Sequence, residues 1–237
     1  FLSFIIKLIF SVHDYNLKIA LKNSSAITSN NSFFLKYILQ KINRKKLKND
    51  KVIYLTKPIL NSKSSLIKIL IIDRKKLNIY FCGRLNLEVF DFETIFQSLK
   101  ILKNKNMKLH FYIGGYGEIN KLKKLVDRLE LSSSVTLLGY VNKYKHSVFL
   151  KKCNIFIAPF NNNMNFSSNL SNKFIEAIQF NLPILTPLKK DVARFILKNK
   201  IGCVYKENDY KDLAKKIENL VNKPYLIKLF KKKLKIL

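Results

Sequence analysis

Three side chains in this sequence carry charge at places where a ligand could use it. Arg84 follows Gly83 directly at the end of the apolar run IYFC. That puts a permanent cation at the C-terminal edge of a strand, where a guanidinium can pair with a diphosphate in fork geometry. The alternative is a surface arginine paired with Glu88. Lys173 and Glu176 lie three residues apart in LSNKFIEAIQFNLPILT, so a helix would place them on one face near its start. There a carboxylate can accept both hydroxyls of a ribose, while the cation and the first amides hold phosphate. An ordinary ion pair between positions i and i+3 accounts equally for that spacing. Ser171 or Asn172 can cap the same helix.

A fourth candidate is the cluster Gly114-Gly115-Tyr116-Gly117-Glu118 after the run LHFYI. Its spacing departs from GxGxxG, and the bland reading is a tight turn from strand to helix. Exposed amides at a helix start would favour an anion. The chain has only six glycines, and several follow short apolar runs directly, as in IYFCG, LHFYIGG and VTLLG. Doubly wound α/β sheets need backbone freedom at such strand ends.

Those residues need a frame to hold them. Strands are expected at about 78–82, 107–113, 134–138, 154–158 and 182–186. They alternate with helices at about 91–104, 118–130, 143–152, 171–181 and 190–199. Strands separated by helix-length crossovers give an α/β fold, a Rossmann-like doubly wound parallel sheet covered on both faces. Asp91 can cap the helix beginning FETIFQSL, Asn208 or Asp209 can cap DYKDLAKKIENLV, and Asn181 ends a helix before Pro183 enters a strand. Residues 1–56 read as a remnant of a preceding domain with its crossover, 57–77 as a linker, 78–222 as the main domain and 223–237 as a C-terminal helix. The opening FLSFIIKLIFSV is too short for a membrane span and reads as a packed helix or an amphipathic one at a membrane face.

Net charge is +30, from 45 Lys and Arg against 15 Asp and Glu. Forty of the cations are Lys, and nucleic-acid readers favour Arg. With 25 Asn alongside, codon bias in an AT-rich genome is the preferred account. Attraction to anionic lipid ranks second and nucleic acid third. Cys82, Cys153 and Cys203 are read as buried free thiols of a reducing compartment, and His13, His110 and His146 as not clustering with them. No metal site or bound cofactor is expected.

Taken together, IYFCGRL, LHFYIGGYGE, VTLLGYV, CNIFIAPF, SNKFIEAIQFNLPILT and DVARFILKNKIGCVY resemble the C-terminal half of GT-B glycosyltransferases, especially family 4, over residues 78–220. Upstream, SSAITSNNSFFLKYI and KVIYLTKPIL look like the end of the N-terminal domain. The resemblance implies a nucleotide-diphosphate sugar as donor and a polysaccharide or lipid-linked acceptor. It sets Arg84 at the diphosphate, main chain near Gly139 to Val141 around the base and Glu176 at the ribose, with Gly83, Gly115, Asn172 and Lys173 also assigned to donor binding and Lys173 able to replace the missing phosphate cation. The implied place is the cytoplasm, including the inner face of the cell membrane. Two departures stand out: Val89 and Phe90 where the family has a second cation and a Gly, and Ser168 where it commonly has a Glu. Lys189-Lys190 also replaces a common Gly. The catalytic groups belong to the N-terminal half, so no general base is named. A decayed, non-catalytic domain and a sugar-nucleotide epimerase are the competing readings.

Overall fold

A computed structural model of the chain describes residues 2–29, 32–53, 72–161, 172–188 and 190–236. It divides into two compact units, Phe1–Leu55 and Thr56–Leu237.

The smaller unit runs α1 (Leu2–Asn23), β1 (Thr28–Ser29), α2 (Ser32–Lys41) and β2 (Lys51–Val52), with β1 and β2 parallel. Its apolar centre is small: Ile27, Leu35, Leu39 and Ile42. A buried ion pair supplements it. Asp50 accepts from the Ile27 and Leu47 amides at 2.7 Å each and from Arg44 at 2.9 Å. Arg44 also donates to the carbonyls of Leu21 and Ser24, so one guanidinium ties the end of α1 to the strand that follows.

The larger unit contains β3 (Leu77–Leu85), α3 (Phe92–Asn104), β4 (Leu109–Gly117), α4 (Ile119–Arg128), β5 (Val135–Gly139) and α5 (Lys143–Lys152). It continues with β6 (Ile155–Ile157), α6 (Asn172–Gln179), β7 (Ile184–Pro187), α7 (Lys190–Asn199), β8 (Gly202–Tyr205), α8 (Tyr210–Asn222) and α9 (Tyr225–Leu234). The six strands of this unit form one parallel sheet in the order β5-β4-β3-β6-β7-β8. The first described strand of the unit, β3, therefore lies in the middle, with β4 and then β5 added on one side and β6, β7 and β8 on the other. Strand β6, and β3 from Leu77 to Phe81, are buried without alternation, as expected for a sheet covered on both faces.

Helix α3 buries Phe92, Ile95, Phe96, Leu99 and Leu102, the stripe expected of a 3.6-residue period. The Asp91 carboxylate accepts from the Thr94 amide, and that of Asp209 from the Asp212 amide; these are the caps the sequence proposes, with Asp209 rather than Asn208 in the role. Asn208 instead takes a positive φ, as do Asn43, Asn106 and Asn181, so asparagine supplies left-handed turns in a chain poor in glycine. Phe81 sits at the aromatic centre, edge-on to Phe90 and Phe92 and stacked on Phe156. Burying a side chain of this size contributes about 1.5–3 kcal/mol.

Three sequence expectations change. Strands β3 and β4 run to Leu85 and Gly117, beyond the ends at 82 and 113, because their backbones stay paired. The segment GCVY forms a sixth strand, β8, that the sequence reading leaves unassigned. In KVIYL, Lys51 and Val52 are strand and Ile53 is not; residues 54–71, which include most of the expected linker, lie outside the described residues.

Candidate functional site

Strand β3 is paired with β4 at nine positions, from Leu77 opposite Leu109 to Leu85 opposite Gly117. With β6 it is paired at only two, Ile79 with Ile155 and Tyr80 with Phe156. Past Tyr80 the two central strands part at their C-terminal ends. This is the switch point of a doubly wound sheet, where a crevice opens beside the last residues of β3.

Glycines close the β4 side. A Cβ on Gly115, whose φ is +144°, would stand 1.8 Å from the carbonyl oxygen of Gly83. The expected turn at Gly114 to Gly117 is thus a continuing strand, and its glycines allow two backbones to approach more closely than side chains permit. Gly115 is buried in that pairing. Val141, after β5, lies over Gly114, 2.6 Å from where a Cβ would be. Gly139 has φ +64° and open space beside it, and Tyr140 next to it is exposed.

The crevice side carries the charge. Arg84 is exposed and forms no ion pair with Glu88 among the described residues. Lys173, on the first turn of α6, lays its stem across Gly83: its Cε lies 2.1 Å from the position a Cβ would take. The ammonium rests 5.2 Å from the centre of the Phe90 ring. Asn172 is the exposed first residue of α6, and Ser171 and Ser168 lie outside the described residues.

Residues 86–91, where Val89 and Phe90 stand, are tied on both sides. Glu118 accepts from the Leu87 amide at 2.7 Å, while the Asn161 side chain donates to the Leu87 carbonyl and its amide to that of Val89. Phe90 also stacks obliquely on Phe160, which stacks on Phe174 of α6. The aromatic at position 90 therefore supports the helix that brings Lys173.

Glu176 has a partner the sequence reading misses. Its Oε2 lies 3.2 Å from Nε2 of His146 on α5, and Nδ1 of that ring lies 2.8 Å from the hydroxyl of Tyr80 on β3. Burial opposes the charged imidazole, but the Cys82 thiol and the Glu176 carboxylate outweigh it and raise the His146 pKa from 6.5 to about 9. Burial pushes the Tyr80 phenol far up. The expectation that no histidine lies near a cysteine is corrected: Cys82 is only partly buried and adjoins His146. A signal existed, since His146 precedes Phe149 and Leu150 by three and four residues and so faces inward with them. Cys153 and Cys203 are pushed up to about 12 and about 11 by burial. No group of three or more His, Cys, Asp or Glu side chains among the described residues is arranged so that it could hold a metal ion.

The end of β3 thus has Lys173 lying across Gly83 and the exposed Arg84 next in the chain, with Glu176 about one helical turn beyond Lys173 on α6. Such a set can hold an anion beside a pair of hydroxyls.

Known structures share this architecture. S. aureus TarM, crystallised as a mutant with fondaparinux, alpha-GlcNAc-glycerol and UDP, superposes with a TM-score of 0.69 at 18% identity, over 93% of this chain and 42% of that one. WaaG, a glycosyltransferase involved in lipopolysaccharide biosynthesis, gives 0.66 at 13% identity over 87% and 56%. Anabaena HepE in complex with UDP-glucose gives 0.68 at 14% over 91% and 59%. The chain spans roughly half the length of these proteins, and the likeness establishes a GT-B type of fold. No curated protein matches the sequence. Residues 76–223 match the family model described as glycosyl transferases group 1. That match takes in β3 through α8, and the chain belongs to the group 1 glycosyl transferases.

Proposed function

We propose that this chain is the donor-binding half of a glycosyltransferase that moves a hexosyl group from a nucleotide-diphosphate sugar to a polysaccharide or lipid-linked acceptor. The observation that carries the reading is Lys173 of α6 lying across Gly83, the residue before Arg84, at the end of β3, with Glu176 three residues on along the same helix. The two cations and the start of α6 would hold the diphosphate and stabilise the charge that develops on it as the sugar leaves. Leaving-group stabilisation is assigned to them and to no bound metal. The Glu176 carboxylate would accept the ribose hydroxyls, and the backbone from Gly139 to Val141 would border the base.

TarM and HepE were crystallised with UDP or UDP-glucose, which makes a uridine donor the first to test. Acceptor binding and the general base are assigned to an N-terminal half, so the chain alone is expected to bind donor without transferring sugar. Attachment to an anionic membrane surface on the cytoplasmic side belongs to the same reading and rests on the +30 charge. No helix among the described residues is long and apolar enough to cross a membrane.

Calorimetric titration of the chain with UDP, GDP and ADP tests the proposal. Saturable binding of one nucleotide, abolished in Glu176→Ala, is the expected result. A folded chain indifferent to all three would sink it and favour a decayed, scaffolding domain. That second reading draws on Val89, which puts no cation in a loop tied down by Glu118 and Asn161.

A further inference from the structure

We propose that His146 is a positioning residue for Glu176, fixing one carboxylate oxygen so that the group presents a single orientation to the ribose hydroxyls of a nucleotide. The inference rests on the role given to Glu176 under the proposed function and adds a residue outside every motif that suggested it.

Tyr80 is fully buried in β3, and its ring stacks on Phe149 with centroids 5.0 Å apart and planes at 13°. Phe149 stands one turn after His146 on α5, so the same packing sets the phenol and the helix that carries the imidazole. The Tyr80 hydroxyl then fixes Nδ1 at 2.8 Å, which leaves Nε2 directed at Glu176. Three elements, β3, α5 and α6, are joined through one ring.

The link does not depend on one protonation state. In the neutral ring the Tyr80 hydroxyl donates to Nδ1 and Nε2–H donates to Glu176; in the charged ring Nδ1–H donates to Tyr80 and Nε2–H still donates to Glu176. The raised pKa keeps the ring charged near neutral pH, which strengthens its bond to the carboxylate. A positive ring there also offsets the repulsion between Glu176 and a neighbouring diphosphate. A histidine that served only to fill the core would need no partner at the crevice, whereas here the imidazole is 17% exposed and the carboxylate 25%.

The experiment compares UDP with 2′-deoxy-UDP on the full chain, by calorimetry, for the parent, His146→Phe, His146→Gln and Glu176→Gln, with melting curves to verify folding. GDP, ADP and their 2′-deoxy forms are run alongside. His146→Phe is expected to weaken binding of the preferred ribonucleotide by about tenfold and to leave its deoxy form nearly unchanged. His146→Gln retains an N–H donor and should restore most of the preference for ribose. In the Glu176→Gln background, His146→Phe should add little. An unchanged ratio of ribo to deoxy binding in His146→Phe overturns the inference, as does equal weakening of both ligands with no rescue by Gln. Failure of the donor reading looks different. The parent would bind no nucleotide while the His146 imidazole, titrated by NMR, still shifted on Glu176→Gln; the ribose role would then fall with the donor reading although the contact stood.

Discussion

The two flanks of β3 are built on opposite principles. Toward β4, nine residue pairs, with Gly115 and Gly117 among them, bring main chain against main chain, and Gly115 leaves no room for a side chain beside the Gly83 carbonyl. Toward β6, pairing stops after two positions, and the space beyond is filled by side chains delivered from helices: Lys173 and Glu176 from α6, His146 from α5. The closed flank derives its geometry from the backbone, which tolerates almost no substitution. The open flank derives its chemistry from side chains, which can be exchanged while the sheet stands.

The closed flank should break first, at Gly115→Val. A Cβ at φ +144° and 1.8 Å from a carbonyl oxygen forces β3 and β4 apart, with an expected loss of more than about 4 kcal/mol in urea unfolding. A loss under about 1 kcal/mol would mean that β4 can slide without cost. On the open flank, Lys173→Met keeps a stem over Gly83 and deletes the ammonium. Binding of UDP should weaken by about tenfold while the melting temperature stays near that of the parent. Unaltered affinity would remove Lys173 from the diphosphate.

The smallest effect is one of pH. His146 has its folded pKa raised from 6.5 to about 9, so its contribution to stability is complete below about pH 6.5 and is lost as pH rises through 9. The parent should therefore lose more melting temperature than His146→Gln between pH 6.5 and 9. Parallel declines would show that Cys82 and Glu176 do not stabilise the charged ring.

The sequence carries those features whose causes are local. The order of strands and helices follows from apolar runs and their spacing, Asp91 and Asp209 stand three residues before the amides they accept from, and Lys173 and Glu176 share a helix face by spacing alone. The features missed are those with a distant cause. Gly114 to Gly117 reads as a turn because glycine usually marks one, and only the Gly83 carbonyl, far away in sequence, makes it a strand. Gly202 hides β8 in the same way, since a Cβ there would stand 1.9 Å from the Ile184 carbonyl oxygen. His146 finds its partners 66 and 30 residues away, beyond any pattern along the chain. Arg84 stands where the sequence suggests, but the partner weighed for it, Glu88, does not reach it.

One consequence follows from α6. Within eight residues this helix bears both Lys173 and Glu176, anchored by the buried Phe174 and Ala177. In the proposed donor site, the charge for a phosphate and the carboxylate for a ribose would thus ride on a single helix. A displacement of that helix would alter both together, so nucleotide recognition would be inherited as one cassette. Changes that retune the sugar without disturbing the nucleotide would then arise on other elements.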